Sequence, residues 1–157
     1  MYLGRKIFLM LKEQIYQACL DRVAHNIETL QASICAAQET SSAETKSSAG
    51  DKYETTRAMM QIEIESYTKR LVEAQKLQMT LLQIPWQDVY EWVKVGSLVT
   101  TNQGVFFIAI GIGQLSIEGR VYFVVSPASP IGACLLKKKV HDTFTFLQKK
   151  YEILAIA

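Results

Sequence analysis

No glycine or proline falls between Arg5 and Ala49, and over that stretch the apolar residues keep to one face of a helix. They are Phe8, Leu11, Ile15, Cys19, Val23, Ile27, Leu30, Ile34 and Ala37, separated by three or four residues throughout. A second stripe runs Met60, Ile64, Tyr67, Leu71, Ala74, Gln78 and Leu81, alternating four and three, and stops before Pro85. Two helices of about 30 residues would each reach roughly 45 Å, and neither can bury its stripe alone. The pattern predicts a folded-back, antiparallel coiled-coil hairpin over 1–84. The alternative is a parallel homodimer of one long helix, against which Gly50 and the adjacent serines argue.

The segment joining the stripes, about Gln38 to Gly50, is rich in Ser, Thr and Ala. It is longer than the roughly two to eight residues usual between paired helices, which suggests a working tip near 38–54. Within it, "SSAGDKYET" sets Asp51 three residues before Glu54. One reading is a capping box, with Asp51 as N-cap and Glu54 reaching back to it. The other is metal binding, because residues three apart share a helix face and carboxylates suit a hard ion such as Mg²⁺. Two carboxylates are too few for a tight site of their own. They suffice to complete a second metal position in an active site that already holds one, where paired metals activate water for in-line displacement. A capping Asp keeps a free lone-pair face, so both readings stay open.

The chain has 157 residues, 49% of them apolar, enough for one or two compact units with a core. A formal charge of +2 gives no bulk attraction to nucleic acid. Lys137, Lys138 and Lys139 read as a solvated loop, and Lys46 and Lys52 as solubilising neighbours of the tip acids. Arg57, Lys69, Arg70 and Lys76 read as outer coiled-coil positions. The early apolar run IFLML is too short for a signal-peptide core. The run from Val105 to Ile112 is far short of a membrane span. A soluble, cytoplasmic protein with no membrane partner is expected. Three cysteines, Cys19, Cys35 and Cys134, lack CxxC spacing and suggest neither a disulfide framework nor a zinc site. His25 and His141 have no partner at a ligand spacing.

Beyond Pro85 the composition shifts. "GSLVTTNQGVFFIAIGIGQ" reads as strand, turn at Asn102–Gln103–Gly104, and strand. "RVYFVV" and "FTFLQKKYEILAI" add strands, the latter with a turn near Gln148–Lys149. In "SPIGACLLKK" between them, Ser129 suits a helix N-cap and Pro130 the first helical position. Residues 85–157 are thus a small α+β domain, expected to pack on the hairpin's base through Trp86 and Trp92. The GxG of "GIGQ" precedes no helical pattern and argues against a dinucleotide site. Ser126 and Ser129 lack a His and Asp for nucleophilic work.

Taken together, "GDKYE" between two coiled-coil arms and "SPIGACLLKKKVHDTF" followed by "YEILAI" resemble the GDxxE tip and the C-terminal signature of the Gre transcript-cleavage factors. The resemblance covers nearly the whole chain. It implies an FKBP-like C-terminal domain that docks on bacterial RNA polymerase, and a hairpin that enters the polymerase's secondary channel. There the tip would stimulate cleavage of backtracked RNA, with Asp51 as a ligand of a Mg²⁺ shared with the polymerase and Glu54 orienting its water. The resemblance further implies a monomer, no tightly bound cofactor, only indirect contact with nascent RNA, and no catalysis by the chain alone. Ser129, Pro130, Ile131, Gly132, Leu135 and Leu136 are the candidate docking residues. The sequence departs from the family at Thr55, Arg57 and Ala58 after the tip, and at Ala133, Lys137 and His141 in the C-terminal signature. Three alternatives stand beside cleavage: a non-cleaving regulator in the same channel, an FKBP-like isomerase or chaperone, and a structural coiled-coil adaptor.

Overall fold

In a computed structural model, residues 2–44 and 50–157 are described, apart from the side chains of Tyr2, Glu44 and Asp51. Two long helices, α1 (Tyr2–Glu44) and α2 (Gly50–Leu82), precede a six-stranded sheet with one short helix, an α+β architecture. The chain forms two compact units. One comprises Met1–Leu20 with Thr80–Ala157, the other Asp21–Met79.

In the unit of residues 21–79, Ser33, Ala36, Ala37 and Thr40 of α1 face Met60, Glu63 and Tyr67 of α2. With α1 ending at Glu44 and α2 starting at Gly50, that pairing is antiparallel. The stripe expected on α1 is the buried one: Val23, Ile27, Leu30 and Ala37 are buried and Ile34 half-buried. On α2 the matching positions Met60, Ile64, Tyr67, Leu71 and Gln78 are half-buried and Ala74 is buried. Helix α1 does not stop near Gln38 but continues to Glu44. Residues 38–44 hold no Gly or Pro, and Thr40 satisfies its hydroxyl by donating to the Ala36 carbonyl at 3.0 Å, so nothing breaks the helix there.

The other unit is built on strands β1 (Leu98–Thr101), β2 (Gly104–Ile108), β3 (Gly113–Ile117), β4 (Arg120–Val125), β5 (Thr143–Phe146) and β6 (Lys149–Ile156). Their order in the sheet is β3-β4-β2-β1-β6-β5, antiparallel except for β2 with β4. The expected turn at Asn102 is present and serves a second purpose. The Asn102 side chain donates to the Lys150 carbonyl at 3.1 Å and accepts from the Glu152 amide at 2.8 Å, tying the β1–β2 turn to β6. The β5–β6 turn falls at Leu147–Gln148, both with positive φ, the backbone hand that suits a two-residue hairpin.

Both faces of the central strands are buried. Val99, Phe106, Ile108 and Ile153 form one core with Val93 and with Leu135 of the short helix α3 (Pro130–Leu135). Leu98, Phe107 and Val124 are buried on the opposite face, where register aligns Leu98 with Phe107 and Phe107 with Val124. The helical part of this unit is pinned by side chains from α1. Tyr16 donates to the Leu81 carbonyl at 2.9 Å, and its ring stacks on Trp86 with centroids 5.4 Å apart.

Lys12 is fully buried in the same place and donates to the Asp88 carbonyl at 3.0 Å. Burial lowers its pKa to about 8, against a smaller opposing pull from Asp88. Below pH 8 the amine is charged in the folded and the unfolded chain alike. Between pH 8 and 10 only the unfolded chain holds the proton, so folding becomes more favourable as pH rises. The gain approaches about 3 kcal/mol at full development. Tyr16 and Tyr90, whose pKa values are raised, the first by burial and the second chiefly by Asp88, act in the opposite sense above pH 10. Denaturant melts from pH 7 to 10 should show this rise in the wild type and lose it in Lys12→Met.

Candidate functional site

The tip acids sit where α2 opens. Helix α2 starts at Gly50, so Asp51 lies within the first turn rather than before it, and Glu54 follows three residues on. Asp51 would be the N-cap only of a helix that opened at Lys52, two residues beyond the observed start. Glu54 is exposed. The side chain of Asp51 and the whole of Lys46 lie outside the described residues. Around them Lys52, Thr55, Arg57 and Ala58 are exposed and Tyr53 is half-buried. A surface carboxylate near a helix N-terminus meets the positive end of the helix dipole. It is a hard oxygen donor, chemically suited to Mg²⁺. Among the described residues no group of three or more His, Cys, Asp or Glu could hold a metal ion.

The serine-proline segment of the other unit folds as its sequence predicts. Ser129 caps α3: its hydroxyl accepts from the Gly132 amide at 3.1 Å and donates to the Ser126 carbonyl at 2.6 Å. Pro130 occupies the opening turn, where no amide is missed. Of the six candidate docking residues, Leu135 and Gly132 are buried, and Leu135 belongs to the core. Ile131 and Leu136 are half-buried and pack against the same core, Ser129 is half-buried, and Pro130 is exposed. What faces solvent is therefore the Ser–Pro corner, with partial edges of Ile131 and Leu136.

Sequence reading passed over a second cluster in this unit. Lys94 places its ammonium 4.1 Å from the centre of the Tyr90 ring and 4.7 Å from that of Trp92. The available signal was the alternation Tyr-Glu-Trp-Val-Lys over residues 90–94, which puts both aromatics and the lysine on one face of an extended chain.

Comparison with known protein families and with curated proteins finds no match to this chain. No helix among the described residues is long and apolar enough to cross a membrane.

Proposed function

We propose that this chain is a bacterial RNA polymerase-binding elongation factor of the Gre kind, which stimulates cleavage of backtracked RNA from the cytoplasmic polymerase's secondary channel. The observation that carries the reading is an antiparallel helix pair with an exposed acid, Glu54, the fifth residue of α2 and three residues from Asp51. The span from residue 21 to the end of α1 alone is about 35 Å long by helical rise, enough for a deep, narrow channel. A six-stranded sheet with one capped helix is compatible with an FKBP-like docking domain. The exposed Ser129–Pro130 corner is its candidate contact, flanked by Ile131 and Leu136.

In this reading the polymerase supplies the main catalytic centre and the tip lends oxygen ligands. Asp51 and Glu54 would hold a shared Mg²⁺, which polarises the attacking water and offsets charge on the leaving oxygen when bound. The residues' own part is to present carboxylate oxygens near the start of α2.

The test is 3′-end cleavage in stalled elongation complexes with bacterial RNA polymerase. Asp51→Ala and Glu54→Ala should each slow cleavage by at least about tenfold, the scale seen when groups around a metal are removed, while polymerase binding persists. Equal cleavage with and without the acids would eliminate the chemical role. Binding without any cleavage by the unaltered protein would identify a channel-blocking regulator instead.

A further inference from the structure

We infer that the face formed by Tyr90, Trp92, Lys94, Lys137 and Lys139 binds single-stranded nucleic acid, stacking a base on the aromatic rings and pairing its phosphates with the lysines. The backbone makes this face. Trp92 bridges Lys139 in antiparallel register, with the Val93 amide donating to the Lys138 carbonyl at 2.8 Å and the Lys137 amide to the Val93 carbonyl at 2.9 Å. Side chains alternate across such a pair. Val93 points into the core and is fully buried, so its neighbours Trp92 and Lys94 point outward, with Lys139 opposite Trp92. Lys137 lies across from Lys94, its backbone turned by a positive φ of 66° as the chain leaves α3.

Among the described residues no ion pair neutralises Lys94, Lys137 or Lys139. Of the nearby acids, Asp88 accepts from the Tyr90 hydroxyl at 3.3 Å and Asp142 from the Lys139 amide at 2.7 Å, and neither forms an ion pair with these lysines. Glu91, between the two aromatics in sequence, is exposed and forms no ion pair with Lys94. A cavity of about 420 Å³ bordered by Pro85, Val95 and Leu136 opens beside the rings. Trp92 is 38% exposed and its ring lies 6.2 Å from that of Tyr90. Lys94 occupies the aromatic faces in the free protein. A base entering there frees the ammonium for the adjoining phosphate, so stacking and charge pairing reinforce each other. Aromatic platforms edged with lysine are the means by which proteins hold single strands without reading sequence.

The experiment is fluorescence anisotropy of labelled ten-nucleotide oligo(U) and oligo(dT) with the full chain, over a salt series. Binding of either strand is expected, RNA alone implying use of the 2′-hydroxyl and equal binding implying stacking and charge only. Trp92→Ala should weaken binding by about tenfold or more. The double change Lys94→Gln with Lys139→Gln should flatten the salt dependence by about 0.7 in log–log slope per lost phosphate contact. Because that pair leaves both rings in place, it keeps the test valid if Trp92→Ala disturbs folding. Affinity for neither strand at low salt would overturn the inference. So would binding that survives these changes but is lost on altering Arg57, Lys69, Arg70 and Lys76 of α2, or capture of a proline-rich peptide in preference to both strands.

Discussion

Gly132→Ala is expected to destabilise the sheet-bearing unit by about 3 kcal/mol, although alanine is the better helix former. A methyl group at Gly132 would be driven against the Ser126 carbonyl oxygen, far inside van der Waals contact, and would sit 2.8 Å from the Ser129 hydroxyl. Neither neighbour can yield cheaply. The Ser126 carbonyl accepts from both the amide and the hydroxyl of Ser129, and that hydroxyl in turn accepts from the Gly132 amide. Moving the carbonyl breaks the cap and shifts Leu135, which fills the core. Both tryptophans, Trp86 and Trp92, lie in this unit, so tryptophan fluorescence in a denaturant melt reports it selectively. Ser129→Ala, which loses the cap and the hydroxyl's bond to the Ser126 carbonyl, should cost about 1–2 kcal/mol. A Gly132→Ala protein as stable as the wild type would mean that the turn is looser than its hydrogen bonds indicate.

Phe107→Ala should cost still more, about 3–5 kcal/mol. Phe107 is fully buried on β2, between Leu98 on β1 and Val124 on β4, both also fully or almost fully buried. Three strands meet at its ring, so no single one can move inward to refill the space. Phe107→Leu keeps most of the volume and should cost less than about 2 kcal/mol. Val121→Ala, at a position 49% exposed on β4, should cost within about 0.5 kcal/mol. The same melt checks all three. If Phe107→Ala and Val121→Ala proved alike, the second face of the sheet would not be the packed layer described.

The two helical stripes were readable because their spacing repeats over many turns and any other fold would strand the apolar residues in water. Helix α3 was readable from two residues, Ser129 and Pro130, each chemically fitted to one position of a helix start. Strand β3 was not, because it is an edge strand with Leu115 as its single buried residue, and Gly113, Gln114 and Ser116 leave no alternating pattern. The β5–β6 turn lies one residue earlier than expected because Leu147 and Gln148 adopt left-handed backbone without the Asn or Gly that normally announces it. Lys12 was hidden for a different reason. Its acceptor is 76 residues away, and a lysine beside a glutamate looks like surface until that partner is known. Of the tip, sequence supplied the pair of acids and their spacing. The structure adds the helical turn that carries them and the exposure of Glu54.

The unit that holds the sheet is assembled from two stretches of chain, Met1–Leu20 and Thr80–Ala157, with Asp21–Met79 intervening. During synthesis the early stretch emerges first, carrying Lys12 and Tyr16 whose acceptors, Asp88 and Leu81, have yet to be made. At roughly 5–20 residues per second, it waits several seconds with its apolar side unclaimed. The stripe of α1 thus has a nearer claimant in time, its own neighbour α2. That pairing serves residues 21 onward, while the first twenty stay unclaimed until Leu81 and Asp88 emerge.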